Sequence, residues 1–228
     1  MSSGACWLIR PAIPAEYAAA GELTVAAYLA DDLLAGEESY ADMLRATAAR
    51  ARQAELLVAV DPEGGQLLGT VTFARKESPW AELAADDEAE FRMLAVSPAA
   101  RRHGVGEALI QACVERARQL GCAGLVISTL STMHDAHRLY ARAGFEPTPA
   151  RDWGVGPVRL LAYRLPLDAA AYCGHCGRAL DAADHAGCAQ RTALEPPRWC
   201  PTCGRRTTVQ VTPTGWRARC SRHGERSG

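Results

Sequence analysis

The chain has 228 residues, more than a typical single domain of about 100–150, so its length favours two unequal units. Hydrophobic residues make up 48% and charged residues 22%, which is globular and excludes a largely disordered chain. No apolar run approaches the roughly 20 residues that cross a bilayer, and no basic segment followed by an apolar stretch opens the sequence. We therefore predict a cytoplasmic protein without a membrane segment.

Charge and cysteine are unevenly distributed. From residue 171 onward there are nine arginines, no lysine and four acidic residues, a formal charge of +5, so the first 170 residues carry −6. An arginine-rich end is typical of nucleic-acid binding or of an acidic protein partner, although metal-bound thiolates would cancel part of this charge. Six of the nine cysteines lie in the same end, which favours metal ligation over disulfides where no export signal is seen.

Strands and helices alternate along the first part of the chain. Strands are predicted at Cys6–Arg10, Leu56–Val60, Gln66–Phe73, Glu88–Val96, Gly124–Thr129 and Val158–Leu165. Helices are predicted from Pro14 to about Ala30, from Glu37 to about Arg52, and over Gly104–Leu120 and His134–Ala143. Such alternation predicts an α/β domain with partly parallel pairing around a central helix.

The segment 101–106 (RRHGVG) lies between a predicted strand and the long helix. A helix N-terminus offers unpaired N–H groups and a partial positive charge, and glycines let phosphate oxygens approach the backbone. Taken alone, this segment fits a strand-to-helix turn without a ligand equally well.

Two neighbouring segments add to this pattern. Residues 90–98 (EFRMLAVSP) precede the loop, and residues 136–145 (AHRLYARAGF) follow it. In this order they resemble the GNAT (GCN5-related N-acetyltransferase) superfamily: the R-x-x-G-x-G pyrophosphate loop, the strand before it and the A-x-x-L-Y-x-x-x-G-F ending. The resemblance covers about residues 7–165. It implies a mixed sheet with flanking helices over residues 1–165, and an acetyl-CoA-dependent N-acetyltransferase acting on a primary amine.

The resemblance also implies roles for individual residues. The pyrophosphate is expected on backbone N–H groups of Arg101, Arg102, His103, Gly104, Val105 and Gly106, and the pantetheine arm on backbone groups of Leu94 and Val96. Tyr140 matches the general acid that protonates the leaving thiolate, with a packed helix aromatic as the alternative. Glu90 matches the base that deprotonates the amine, often through water, with a solvated edge carboxylate as the alternative. Glu88 is the reserve candidate for the base.

The sequence departs from the family at Met133, where many members have an asparagine that contacts pantetheine. The acceptor is not defined by the pocket-lining segments, including Asp152 and Trp153. Cys113 lies on the apolar helix face and is predicted to be core.

A short linker, residues 166–171, leads to a Cys-rich domain at 172–228. Its candidate ligands come in pairs at C-x2-C spacing or its histidine equivalents, namely Cys173 with Cys176, His185 with Cys188, Cys200 with Cys203, and Cys220 with His223. One tight turn can present such a pair to a single metal ion, and a domain this small needs a metal for stability. His175 is interpreted as a spacer.

The second half of this domain is predicted to form a zinc ribbon. Its strands are expected at Thr207–Val211 and Trp216–Cys220, with Trp216 and either Val209 or Val211 covering a small core. Two Cys3His zinc sites, an iron–sulfur cluster and a disulfide scaffold all remain open.

Three segments of the tail resemble the small biotin synthase auxiliary proteins of actinobacteria: residues 172–177 (YCGHCG), 194–206 (LEPPRWCPTCGRR) and 209–224 (VQVTPTGWRARCSRHG). The resemblance implies support of biotin synthase, a radical enzyme that depends on iron–sulfur clusters.

The sequence therefore leaves three functions open. The first is an N-acetyltransferase fused to an auxiliary module for biotin synthase. The second is a non-enzymatic acyl-CoA-binding partner protein with a zinc-ribbon interaction module, and the third makes the tail a nucleic-acid ribbon. Nucleic acid is disfavoured because the ribbon half offers only Trp199 and Trp216 for base stacking. Expected partners are a small-molecule or protein amine, biotin synthase, and a second copy in a homodimer.

Overall fold

The computed structural model describes residues 7–34, 38–156, 158–167, 171–180, 182, 184–192, 195–213 and 215–227. The predicted positions Cys6 and Glu37, and residues 168–170 of the predicted linker, lie outside this part. The chain divides into two compact units, Met1–Leu167 and Asp168–Gly228. No helix in the described ranges is long and apolar enough to span a membrane.

The first unit alternates strands and helices. Its strands are β1 (Leu8–Pro11), β2 (Glu55–Val60), β3 (Leu67–Arg75), β4 (Glu88–Val96), β5 (Gly124–Leu130), β6 (Glu146–Pro147), β7 (Trp153–Val155) and β8 (Val158–Pro166). Its α-helices are α1 (Tyr17–Leu29), α2 (Glu38–Arg45), α3 (Thr47–Gln53), α4 (Val105–Gln119) and α5 (His134–Arg142), and 3-10 turns occupy Pro14–Glu16, Pro98–Ala100 and Pro149–Arg151.

One mixed sheet connects all eight strands in the order β1-β2-β3-β4-β5-β8-β6, with β7 also on β8. The β4–β5 pair is parallel, and every other pair in the described sheet is antiparallel. The main core packs α4 and α5 on one face, and smaller clusters join α1, α2 and α3 to the other. The predicted α/β fold class, a mixed sheet with flanking helices, is therefore confirmed.

The prediction of one helix from Glu37 to about Arg52 is wrong, because α2 ends at Arg45 and α3 begins at Thr47. The Thr47 hydroxyl donates to the carbonyl of Tyr17 at 2.6 Å, and α1 also lies close to the break, where a Cβ on Gly21 would be 3.0 Å from the carbonyl oxygen of Arg45. After the break, α3 directs the guanidinium of Arg50 into the interior, where it is fully buried.

The second unit contains one short helix, α6 (Ala186–Thr192), and a three-stranded antiparallel sheet of β9 (Thr208–Thr212), β10 (Gly215–Cys220) and β11 (Gly224–Ser227) in the order β11-β10-β9. The two predicted ribbon strands are confirmed to within a residue, but α6 and β11 were not predicted. Val211 is 72% exposed and does not cover the core, where Ala218 is buried instead. Val211 pairs with Trp216 next to the turn that closes the β9–β10 hairpin, at the tip of the two strands.

Candidate active site and metal centres

Strands β4 and β5 separate after a short parallel pairing. The pairing runs from Glu88 with Gly124 to Glu90 with Val126 and stops there, although both strands continue. Beyond it, β4 carries one extra residue relative to β3, and buried Met93 has a left-handed φ of 54°. A bulge of this kind bends a strand and increases its local twist. The result is a gap between β4 and β5, with Leu94 and Val96 on the β4 side.

The glycine loop leads from β4 into α4. Arg102 and Gly104 both have positive φ, 63° and 87°, and backbone of this kind forms anion-binding concavities. Gly104 is the N-cap of α4, and no side chain caps the helix. Within the described part of the chain, no acceptor is paired with the backbone N–H groups of residues 102–106. The predicted donor Arg101 differs, because its backbone N–H already donates to the carbonyl of Pro98 at 3.5 Å. The helix N-terminus thus presents free donors and a partial positive charge.

Packing fixes this helix end beside the gap. A Cβ on Gly69 of β3 would lie 2.9 Å from the carbonyl oxygen of Ala95 and about as close to Val105 and Leu109 of α4, so only glycine allows this approach. The Arg101 side chain points away from the loop to Asp31, at 2.7 and 3.1 Å. It therefore ties the loop to the end of α1.

Tyr140 projects from α5 into the core and is 4% exposed. Its ring lies 5.8 Å from Phe91, 5.9 Å from Phe145 and 6.1 Å from Tyr163, measured between centroids. Burial, with a smaller contribution from Tyr163, raises the pKa of Tyr140 well above its ordinary value. The phenol therefore keeps its proton at neutral pH and can act as a donor.

Glu90 lies on the opposite face of β4 from Phe91 and is fully buried. One carboxylate oxygen accepts backbone N–H bonds from Glu82, Leu83 and Ala84 at 2.8, 2.7 and 3.2 Å. The other oxygen has no hydrogen-bond partner among the described residues. Burial raises the pKa of Glu90, and these backbone donors only partly oppose the shift.

Glu88 has a different environment, in which both oxygens are occupied. Arg164 donates to it at 2.6 Å, and Arg151 at 2.9 and 3.2 Å. Burial raises the pKa of Glu88, but the hydrogen bonds from Arg151 and Arg164 outweigh it and lower the pKa overall. Glu88 thus connects the segment after β6 to β4, and its lone pairs are less available than those of Glu90.

Sequence reasoning missed a polar cluster on the Glu90 face of the sheet. Tyr28 and Tyr40 lie with ring centroids 6.1 Å apart, and the pKa of Tyr28 is raised by burial and then by Tyr40 and Tyr140. Arg50 donates to the Thr72 hydroxyl at 2.9 Å and to the Leu44 carbonyl at 2.6 Å, and burial lowers its pKa to about 10. Because α3 reads as a charged surface helix, nothing in its sequence signalled a buried arginine.

Three residues singled out from the sequence take local roles. Asp152 accepts the backbone N–H of Ala162 at 2.9 Å, and the Trp153 indole nitrogen is buried with no partner in the described structure. Met133 precedes α5, and its sulfur accepts the Thr129 hydroxyl at 3.5 Å. Cys113 is fully buried in the main core, as predicted.

The second unit gathers its eight predicted ligands into two clusters. Cys173, Cys176, His185 and Cys188 form the first, and Cys200, Cys203, Cys220 and His223 form the second, with the ligand atoms of each within 4.8 Å of one another. Individual separations include 3.6 Å from Cys176 Sγ to His185 Nδ1, and 3.8 Å between Cys203 and Cys220 Sγ. Tetrahedral zinc with Zn–S bonds of about 2.3 Å places its ligand atoms at such distances.

The surroundings of both clusters favour metal ligation. His185 Nε2 lies 3.1 Å from the carbonyl of Ala179, the partner that orients a histidine ligating through Nδ1. The backbone N–H of Arg222 is the main cause that lowers the pKa of Cys220 to about 6. Burial would raise the pKa of Cys173, but N–H groups of Cys176 and His175 outweigh it and lower the pKa to about 7. One cysteine in each cluster thus has a lowered pKa, whereas burial is the main cause that raises the pKa of Cys188 to about 11 and also raises that of Cys203.

The two Cys-x2-Cys turns, here called knuckles, repeat one geometry. Cys173 N–H donates to Arg178 and Cys200 N–H to Arg205, both at 2.7 Å. Each knuckle ends in a left-handed glycine, Gly177 or Gly204. Residues 173–178 and residues 200–205 therefore share the same backbone hydrogen bond and the same left-handed glycine.

The knuckles also pack reciprocally. A Cβ on Gly177 would lie 2.5 Å from the Trp199 ring, and a Cβ on Gly204 would lie 2.7 Å from the Tyr172 ring. Backbone bonds join them, from Trp199 to Gly174 at 2.9 Å and from Tyr172 to Pro201 at 2.8 Å. Each knuckle therefore serves as part of the core of the other.

Comparison with known proteins agrees with both units. The acetyltransferase (GNAT) family matches residues 23–145, and the biotin synthase auxiliary protein family matches residues 207–228. Over 62 residues the chain is 52% identical to the biotin synthase auxiliary protein of Mycobacterium tuberculosis, covering 27% of this chain and 76% of that protein. The Mycolicibacterium smegmatis protein of the same name is 49% identical over 59 residues, covering 26% and 73%.

Solved structures resemble the first unit. The ribosomal-protein-S18-alanine N-acetyltransferase of Escherichia coli has a TM-score of 0.53 at 18% identity, over 71% of this chain and 94% of that one. The yncA protein of Salmonella typhimurium, solved with its cofactor acetyl-CoA, has a TM-score of 0.53 at 23% identity, also over 71% and 94%. At these identities the match shows the fold. The chain belongs to the GNAT acetyltransferase family and carries a second part that belongs to the biotin synthase auxiliary protein family.

Gly104→Val is expected to weaken acetyl-CoA binding at least roughly tenfold, about 1.4 kcal/mol, because a side chain there crowds the free N–H groups of the loop. Calorimetric titration of the full chain measures the affinity. Gly121→Val is the matched control, since Gly121 follows the same helix with a similar φ of 74° and open space around its Cβ position. Equal affinities in the two variants would contradict phosphate binding at the loop.

The reciprocal packing predicts that the two metal sites depend on each other. A Cys200→Ser, Cys203→Ser double variant should lose metal from both clusters, because loss of the second knuckle removes Trp199 from Gly177. Elemental analysis after dialysis against a chelator should give about two zinc ions per wild-type chain and well below one in the variant. Cys122→Ser, which changes a buried cysteine of the first unit, is the control. One zinc retained by the double variant would mean that the sites are independent.

Proposed function

We propose that the protein is a cytoplasmic acetyl-CoA-dependent N-acetyltransferase of a primary amine, over residues 1–165, joined to a metal-binding auxiliary module for biotin synthase, over residues 172–228. The first two residues of the predicted linker 166–171 belong to the first unit, because β8 ends at Pro166 and Leu167 is buried in the main core. Family membership supports an acyltransferase in general. The observation that carries the finer proposal is the uncapped, left-handed glycine loop beside the β4–β5 gap, with a buried phenol on one face of β4 and a buried carboxylate on the other.

The geometry of the transferase unit supports separate roles for the glycine loop, strand β4, Tyr140 and Glu90. Free N–H groups of residues 102–106 hold the pyrophosphate, and backbone groups of Leu94 and Val96 hold the pantetheine arm along the gap. Tyr140 donates its proton to the thiolate of the departing CoA. Glu90 accepts a proton from the amine by way of a water molecule, through Oε1, which accepts no hydrogen bond from a described residue and lies 3.9 Å from Arg92 Nε.

The metal module is proposed to hold two zinc ions, one in each Cys3His cluster. Four ligand atoms drawn this close together enclose a single ion, whereas a cluster of several irons needs them farther apart. The similarity to biotin synthase auxiliary proteins supports biotin synthase as the partner. A non-enzymatic acyl-CoA-binding role is the second candidate, and it is favoured by the tight packing around Tyr140.

Tyr140→Phe should lower turnover by roughly 10²–10⁴, the usual contribution of a general acid, while acetyl-CoA affinity changes little. The phenylalanine keeps the contacts with Phe91 and Phe145, so the packing is preserved. Steady-state kinetics on any accepted amine, together with calorimetry, separate the two effects. Normal turnover by this variant would return Tyr140 to a packing role and favour the non-enzymatic candidate.

Glu90→Gln should remove the acidic limb of the pH–rate profile. A base must be deprotonated to act, and because burial raises the pKa of Glu90, the wild-type rate should fall with decreasing pH at a value above the ordinary 4.5. Glutamine keeps the shape but cannot titrate, so the variant should be slow and flat over this range. An unchanged acidic limb in the variant would assign the base elsewhere.

The auxiliary role predicts genetic rescue. The full chain should restore biotin-independent growth to a host that has biotin synthase but lacks its auxiliary protein. Cys200→Ser should abolish this rescue because it removes a metal ligand on which both knuckles depend. Tyr140→Phe should leave it intact, since that residue acts only in acyl transfer. Absence of rescue by a folded, metal-loaded wild-type chain would exclude the auxiliary role.

A further inference from the structure

A cavity of about 390 Å³ lies within the second unit and belongs to neither metal cluster. Its lining residues carry polar or aromatic groups, namely His175, Arg191, Glu195, Arg198, Trp199 and Arg206. Three guanidinium groups therefore face a single carboxylate. Glu195 lies 3.5 Å from Arg198, and no other ion pair within the described ranges involves a lining residue. Arg191 and Arg206 keep their charge available for a ligand.

Three segments build this cavity, and each is attached to a metal ligand. His175 lies between Cys173 and Cys176, Trp199 directly precedes Cys200, and Arg191 lies on α6, which also carries Cys188. Arg206 pairs with Trp199 in a backbone bridge. The cavity therefore takes its shape only when both knuckles are formed.

One wall of the cavity is rigid. The Trp199 ring rests on Gly177, and the guanidinium carbon of Arg206 lies 6.0 Å from the ring centroid, within cation–π range. Because the ring is already covered in this way, it is poorly placed to stack a nucleic-acid base. The cavity is also small, and Glu195 on its wall would repel a chain of phosphates.

Once nucleic acid is disfavoured, carboxylate side chains are the anionic groups that best match the three arginines of the cavity. Planar guanidinium groups bind carboxylates through paired, charge-assisted hydrogen bonds, and one or two such side chains would neutralise the excess positive charge. The lone Glu195 can accept an N–H from the backbone that carries them. We propose that this cavity binds an acidic segment of a partner protein. The proposal deepens the auxiliary role, and it rests on that role for the identity of the partner.

The test uses the full, zinc-loaded chain and a short, fluorescently labelled oligoglutamate peptide, with oligoglutamine as the neutral control. Fluorescence anisotropy should show binding of oligoglutamate that weakens as salt is added, and no binding of oligoglutamine. Arg206→Ala should weaken binding at least about fivefold, as expected for the loss of one charged contact.

Arg205→Ala is the matched control, because it removes the same charge from the adjacent exposed residue that does not line the cavity. It should change affinity less than about twofold. Equal losses in the two variants would indicate attraction to the surface as a whole and overturn the proposal. Tighter, Arg206-dependent binding of oligothymidylate than of oligoglutamate would overturn it in favour of nucleic acid.

The growth assay keeps this proposal separate from the auxiliary role. Arg206→Ala should lose rescue together with peptide binding, whereas Arg205→Ala should retain both. Specific peptide binding without rescue by the wild-type chain would support the acidic-peptide site and refute the auxiliary role. Rescue by a chain that binds no acidic peptide would refute the site and leave the auxiliary role in place.

Discussion

The bulge at Met93 is the constraint on which the candidate site of the first unit depends. A buried, non-glycine residue with positive φ is costly, and here the surrounding packing of Val25, Leu34 and Leu44 holds it in place. The bulge lies just beyond the point where β4 and β5 stop pairing. Without that gap, the two faces of the sheet would be sealed from each other by a continuous ladder. With it, Tyr140 from one face comes close enough to Tyr28 on the other to contribute to the raised pKa of Tyr28, after burial and Tyr40.

Features of the transferase unit that depend on local pattern could be predicted from the sequence. The apolar spacing of α4, the glycine at its N-cap and the limits of β4 all follow from such patterns, and the structure agrees. The break at Ala46 and the burial of Arg50 could not be predicted, because both arise from contacts with α1 and β3 that are remote in sequence. The short strands β6 and β7 likewise exist only through pairing with β8.

The second unit shows the same distinction. The spacing of cysteines and histidines predicted the eight candidate ligands and left two Cys3His sites, an iron–sulfur cluster and a disulfide scaffold open. The structure gathers the eight residues into two clusters, one in each half of the unit. The function of Gly177 and Gly204 was hidden, because each reads as an ordinary turn glycine. The structure shows that an aromatic ring next to the other knuckle packs directly on each glycine, Trp199 on Gly177 and Tyr172 on Gly204. A small domain that cannot bury a large core uses this exchange of aromatic rings to pack its two candidate ligand clusters together.

The pKa of Tyr140 in the first unit and those of Cys173 and Cys220 in the second are shifted in opposite directions. Tyr140 is surrounded by aromatic rings, so burial dominates and its pKa rises. Cys173 and Cys220 lie in tight turns whose backbone N–H groups face the sulfur, so their pKa values fall and thiolate is available for metal. In both cases the deciding factor is whether backbone donors reach the ionising atom. For Tyr140, burial without such donors raises the pKa, whereas for Cys173 and Cys220 the backbone donors outweigh burial and lower it.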